Sequence, residues 1–294
     1  MLTRLTASTL AHKPRWLAAA LALLAGAAGA HDTWFTPVPG NGGGDTVLAL
    51  GTGERFPQQQ TALDIGLVQA SGCQASGSAA SGSAASAAVL PLQWQAYQDN
   101  ATVLRTAGTV AAGTRLSCWL QAKPLPLELD DALAKAYLDE VRASPTVRAR
   151  WDALRARGVR WQEHYTKHAR IELAGAQGTA GASGTAGAPG WSIGGPGLDL
   201  QADMPAQPLR RGDSLQVQLL RDGQPLAGLV LALRNDLSPL TLWHQTDAQG
   251  RATLRLPLAA RWLLSGVDLR PSETRPDAWD SRFDSLAIET LPQR

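Results

Sequence analysis

Leu215-Gln216-Val217-Gln218-Leu219-Leu220-Arg221-Asp222-Gly223 is the stretch that decides the fold. Leu215, Val217 and Leu219 alternate with polar residues, the period-two pattern of a strand with one buried face, and Asp222-Gly223 closes it with a tight turn. The same grammar continues outward. Leu229, Leu231 and Leu233 form a second alternating run, and the Asp247-Ala248-Gln249-Gly250 turn leads into Ala252, Leu254 and Leu256. Trp262 to Val267 and the segment with Leu286 and Ile288 complete the set. Short strands with turns between them are what a small antiparallel β-sandwich needs, and residues 191–294 are read as one. Arg211-Gly212-Asp213 is simply the entry to its Leu215 strand.

Upstream, residues 174–190 repeat Gly-Thr-Ala-Gly-Ala and hold no large apolar side chain, so they read as a linker. Residues 31–173 form an N-terminal β domain with strand-like runs at Thr46 to Leu50 and Leu116 to Leu120. The doubled Ser-Gly-Ser-Ala-Ala from Ser76 to Ala85 reads as a surface loop. Between 130 and 167 the period changes. Leu133, Tyr137 and Val141 recur every fourth residue behind Asp130 or Asp131 as a cap. Ser144-Pro145 starts a second helix running to Arg157, with Val147, Trp151 and Leu154 on one face and Gly158 at its end. A third short helix is expected over Val159 to Lys167, leading into a strand at Ala169 to Leu173. The fold class is therefore mainly β: two β-sandwich-like domains with a short helical insertion.

Residues 1–30 carry Arg4, Lys13 and Arg15, an apolar run from Trp16 to about Leu24, and the small-residue end Ala28-Gly29-Ala30. That is the pattern of a secretory signal peptide cut after Ala30, since the apolar run is short of the about 20 residues of a membrane span. Of 27 Lys and Arg, 24 remain after cleavage against 25 Asp and Glu, which leaves no excess to hold nucleic acid or an anionic membrane. No later segment reaches transmembrane length. The 44% hydrophobic and 18% charged content excludes collagen-like, coiled-coil and disordered chains but selects no activity. Cys73 and Cys118 are the two cysteines, and in an oxidising compartment they are expected to form a disulfide, with metal ligation the poorer alternative.

The mature start His31-Asp32-Thr33-Trp34-Phe35, together with Gly51-Thr52-Gly53-Glu54-Arg55-Phe56, Tyr165-Thr166-Lys167-His168-Ala169-Arg170 and Gly228 to Gly250, resembles a bacterial exported family, domain of unknown function 4198. The likeness spans nearly the whole mature chain, with the Ser-Gly-Ala repeats as departures. It implies a periplasmic protein with an immunoglobulin-like C-terminal part, associated with nickel and cobalt uptake.

Cleavage after Ala30 would give His31 a free α-amine beside its own imidazole Nδ1, a bidentate nitrogen chelate for Cu, Ni or Co in the divalent state. The amine, with a usual pKa of about 8, deprotonates readily once a metal competes for it. Against this stands the plain alternative of a terminal His left disordered after the scissile bond. Further ligands are sought in Asp32, His164 and His168; on a continuous helix the two imidazoles would share a face. His244, beside Trp243, reads as structural. Gly190-Trp191-Ser192-Ile193-Gly194 matches G-x-S-x-G without the strand before and helix after that a nucleophile elbow requires, so no hydrolase is expected. The expected role is non-catalytic binding of Ni, Co or Cu, or of a complex of one of them, with a metal-transport or envelope protein as partner. The alternative is an interaction module whose sandwich contacts an envelope component or a glycan.

Overall fold

The computed structural model describes residues 31–39, 45–76, 89–108, 115–173, 198–205 and 207–293. Apart from Ser76, the segments expected to be a signal peptide, a Ser-Gly-Ala surface loop and a 174–190 linker lie outside them, as does the G-x-S-x-G match. The N-terminal half supplies β1 (Asp32–Val38), β2 (Val47–Gly53), β3 (Thr61–Ala62), β4 (Val68–Ser76), β5 (Val89–Leu90), β6 (Leu92–Gln98), β7 (Ala101–Thr106), β8 (Arg115–Ala122) and β9 (Leu125–Leu129). Two helices follow, α1 (Asp131–Glu140) and α2 (Pro145–Ala156), and then β10 (Trp161–Leu173). The C-terminal half supplies β11 (Leu198–Ala202), β12 (Ser214–Arg221), β13 (Gln224–Pro225), β14 (Val230–Asn235), β15 (Leu242–Gln245), β16 (Arg251–Arg255), β17 (Arg261–Pro271) and β18 (Trp279–Glu289).

These strands build three layers of a mainly β, sandwich-type fold. The first sheet runs β1-β2-β7-β6 with β3 beside β2, and the third runs β11-β12-β13 with β16 beside β12. The middle sheet runs β15-β14-β17-β18-β10-β8-β4-β5, with β9 also on β10. The middle sheet is common to both halves because β10 pairs in parallel with β18, from Glu163 opposite Trp279 to Ile171 opposite Ala287. Ala169 and Ile171 on one face of β10 meet Trp34, Phe35, Leu48 and Leu50 of the first sheet. On the other face of the middle sheet, Trp262, Leu264, Leu286 and Ile288 meet Leu215, Val217 and Leu219 of β12. Each such Leu, taken from water, contributes about 1.5–3 kcal/mol.

Local signals explain the element ends. Asp130 and Ser144 accept from the backbone N–H of Leu133 and Val147 as N-caps of α1 and α2. The buried stripe of α1 is Ala134, Tyr137 and Leu138, so Leu133 faces solvent and the apolar face is turned from the expected one. Asp222 and Gly223 both have positive φ in the turn after β12. Gly250, at φ +69°, is irreplaceable on contact grounds, since a Cβ there would lie 2.4 Å from the Leu219 carbonyl oxygen.

The third helix expected over Val159 to Lys167 is instead the first half of β10. Its hydrogen bonds are satisfied from both sides, by β9 and β8 on one edge and β18 on the other. A segment flanked by two waiting edges gains a full ladder, and that tertiary gain overrides a local helical reading. The helices α1 and α2 then pack on the middle sheet through Trp151, Leu154, Trp161 and Trp279. Cys73 and Cys118 are joined by a disulfide between directly opposed positions of β4 and β8.

Candidate functional site

β1 is an edge strand, paired with β2 so that Asp32 stands opposite Gly53. That register carries His31 to the position facing Glu54. Its Nε2 lies 3.1 Å from Glu54 Oε1, with the imidazole mostly buried and the Glu54 side chain 65% exposed. Buried Thr33, Trp34 and Phe35 hold the strand down immediately after it, and Ser285 Oγ donates to the Thr33 carbonyl from the middle sheet. The His31 carbonyl oxygen accepts from Lys167 Nζ at 2.8 Å. Lys167 sits on β10 with only 4% exposure, beside the rings of Tyr165 and Phe283. Burial lowers its pKa to about 8, and the negative charge of Asp32 opposes the fall.

Asp32 does not point toward His31's imidazole partner but into the middle sheet. Its carboxylate accepts from the Arg234 guanidinium on β14 and from Ser265 Oγ, 3.0 Å away on β17. Glu140, at the end of α1, closes the same corner, its pKa raised by burial and then by the Asp32 charge. Asp32, Glu140, Arg234, Trp243 and Ser265 line a small cavity of about 30 Å³, room for a single water. A larger cavity of about 270 Å³ adjoins it between the Glu54–Phe56 turn and the loop from Asn235 to Thr241. Its first wall is fixed by Phe56, edge-on to Trp34 at 5.7 Å. Its second wall is shaped by Asn235, whose side chain accepts from the backbone of Leu237 and Ser238.

The other expected ligands lie elsewhere. His164 is exposed on β10 opposite Pro126 and Asp280. With the segment a strand rather than a helix, four residues separate His164 from His168 by about 13 Å, too far to share an ion. Neighbouring residues of a strand face opposite sides, so Lys167 faces β1 while His168 faces the layer of β11. His168 is 6% exposed, and neither ring nitrogen has a hydrogen-bond partner. Burial, then the Arg282 charge, push its pKa down to about 4 against the pull of Asp199, which keeps it neutral. The combination of His31 with His168, His164 and Asp32 is therefore not assembled. Among the described residues no group of three or more His, Cys, Asp or Glu is placed to hold a metal ion.

His168 belongs to a buried polar layer that seats β11 on the middle sheet. Asp284 accepts from the Leu200 N–H at 3.0 Å, and its pKa is raised to about 8 by burial and by Asp199. Arg170 Nε donates to Glu172 at 2.8 Å and to Ser117 at 3.1 Å. His244 lies on β15, its pKa lowered by burial.

Glu54, Lys167 and Arg234 are the residues that a reading along the chain leaves out. Glu54 and Lys167 stand inside the words that carry the family resemblance, Lys167 next to the candidate His168. Arg234 too lies inside one of those words, Gly228 to Gly250, but nothing local marks it, because its relation to Asp32 spans 202 positions. No helix among the described residues is long and apolar enough to cross a membrane. A comparison of the sequence with protein-family models finds no match, and a comparison with curated proteins finds none either.

Proposed function

We propose that this chain is an exported, non-catalytic binding protein for a divalent transition-metal ion, Ni, Co or Cu, held by a His31 amino terminus freed by cleavage after Ala30. The observation that carries the reading is the His31–Glu54 pair. A carboxylate on Nε2 favours the tautomer with its proton there, which leaves the lone pair on Nδ1. Nδ1 is the ring nitrogen that closes a six-membered chelate ring with the residue's own α-amine. Lys167 on the His31 carbonyl supports the reading too, since it anchors a residue that as a bare terminus would fray. The exported family with nickel and cobalt associations that the sequence resembles fits this role, with a periplasmic location and a metal-transport or envelope partner.

The test is titration of protein beginning at His31, its start verified by intact mass, with Ni, Co and Cu. A control carries one extra residue before His31. Binding is expected in the first and a loss of at least tenfold in the second, with a smaller loss in Glu54→Gln. Because amine and imidazole must both shed protons, affinity falls in acid. Equal affinity in the control defeats the reading.

One observation favours the interaction-module alternative. A bulge in β6 between Trp94 and Ala96 reverses the strand's parity, so Trp94 and Tyr97 share a face with ring centroids 5.7 Å apart. They remain 48% and 50% exposed, and the Tyr97 hydroxyl reaches Asp64, a ring-and-carboxylate surface of the kind saccharides stack on. Quenching of tryptophan fluorescence by chitohexaose, abolished in Trp94→Ala, is the outcome this alternative expects.

A further inference from the structure

β10 and β18 part at the end of their ladder. The parallel pairing stops at Ile171 opposite Ala287, yet β10 runs on to Leu173 against β8 and β18 runs on to Glu289 against β17. The middle sheet therefore splits between its two halves, and a cavity of about 270 Å³ lies at the split. Its apolar walls come from both cores: Phe35, Phe56, Ile171 and Leu173 from the side of the first sheet, Leu209 and Ile288 from the side of the third. Packed interiors leave few voids larger than a water, so this one is out of the ordinary. An apolar cavity of about 150 Å³ already accepts a benzene ring, which gives this one room for a body of about eight to ten carbons.

The charged side chains that line it are unevenly matched. Glu172 is buried and accepts from Arg170 and Ser117. Arg261 Nε donates to Asp236 at 2.8 Å, and Glu289 is exposed to water opposite Arg261 in the β17–β18 ladder. Arg115, half-buried at the start of β8, donates to the Met204 carbonyl at 3.2 Å and to the Pro205 carbonyl. Those neutral acceptors fix the direction of the guanidinium but leave its charge without a carboxylate among the described residues. A guanidinium with N–H donors to spare, in the wall of an apolar cavity, matches a carboxylate carried on an apolar body.

We infer that this cavity is a binding site for an amphipathic monocarboxylate, whose apolar body of about eight carbons lies between the two cores while its carboxylate meets Arg115. The body gains by leaving water, and the head group sets its direction. This goes beyond the amino-terminal reading, since His31 does not line the cavity.

The test is equilibrium dialysis of the protein, with no metal added, against tritiated octanoate, octan-1-ol and butyrate. One octanoate retained per chain, with octan-1-ol and butyrate each held at least tenfold more weakly, is the expected result. Arg115→Gln should lower octanoate retention at least tenfold and leave octan-1-ol unchanged, which also shows its cavity to be intact. Leu173→Trp, which fills the cavity from a partly buried position, should abolish retention of both while circular dichroism shows it folded. If Arg115→Gln does not fold, the preference of wild type for octanoate over octan-1-ol decides by itself. No octanoate retained at millimolar concentration, or retention unchanged in Leu173→Trp, overturns the site. Octan-1-ol held as tightly as octanoate, or octanoate indifferent to Arg115→Gln, overturns the carboxylate assignment.

Discussion

The Nζ of Lys167 and the carbonyl oxygen of His31 lie 2.8 Å apart although 136 positions separate them in the chain. The bond ties the beginning of β1 to the middle of β10, and so ties the proposed chelate to the strand on which the whole molecule is assembled. Lys167→Met keeps the buried stem and removes the donor. It should cost about 1–3 kcal/mol in urea unfolding and speed amide exchange at the start of β1, leaving β12 and β14 protected. The folded pKa of about 8 lies below the ordinary 10.5, so the unfolded chain binds more protons between those values. On this account wild type gains stability from pH 8 to about 10.5, a rise that Lys167→Met should lack.

Asp284 titrates in the opposite sense. Its pKa, raised from 3.8 to about 8, means that the folded state holds a proton the unfolded chain has released. Stability on this account is full in acid and lost as pH rises toward 8. His168, with a pKa near 4 against an ordinary 6.5, adds stability as pH rises through that lower window and is silent above it. Between pH 6.5 and 8 Asp284, facing Asp199 and Arg170, contributes to the decline beside Glu140 and Glu163, the other carboxyls raised by burial. Asp284→Asn keeps an acceptor for the Leu200 N–H, so it should flatten the decline and be the more stable protein at pH 8. A decline equal to wild type would refute this.

Glu163 fastens the helical insertion to the middle sheet. Almost wholly buried, it accepts from Tyr137 at 3.0 Å, from Trp161 Nε1 at 2.8 Å and from Ser281. Burial raises its pKa against those three donors. Glu163→Ala strands all three and should cost about 3 kcal/mol or more, whereas Glu163→Gln, which retains an acceptor oxygen, should cost clearly less. Chemical denaturation of the two variants beside Tyr137→Phe measures the difference.

Loss of the Cys73–Cys118 disulfide should act mainly through the unfolded chain, because it closes a separation of 45 residues. Cys73→Ala/Cys118→Ala is expected to lose about 2–4 kcal/mol with the β4–β8 ladder intact. Non-reducing peptide mapping of wild type should yield one linked pair and no free thiol.

The C-terminal sandwich was legible along the chain because its strands bury one face. Leu215, Val217 and Leu219 alternate with Gln216 and Gln218, and every second residue reports the core. The helices α1 and α2 were legible for a similar local reason, since Asp130 and Ser144 cap their own next turn. The disulfide followed from there being two cysteines in a chain that reads as exported. β10 was not legible in its first half. Buried on both faces around Thr166, Lys167 and His168, it shows no alternation, and its state is set by edges contributed by β9 and β18.

The candidate site divides along the same line. His31 could be singled out because the chemistry proposed for it depends on its own backbone nitrogen and a cleavage pattern just before it. Glu54, Lys167 and Arg234 acquire their places by being brought to it from the turn after β2, from β10 and from β14. The parting of His168 from His31 has the same origin, because strand geometry sends Lys167 and His168 to opposite sides of one sheet. Local pattern determined the strands, the caps and the candidate chelating residue, each needing only neighbours in sequence. Tertiary structure alone decided the shared middle sheet and the company His31 keeps, because strand pairing over 116 positions, as between Glu163 and Trp279, leaves no trace in either segment by itself.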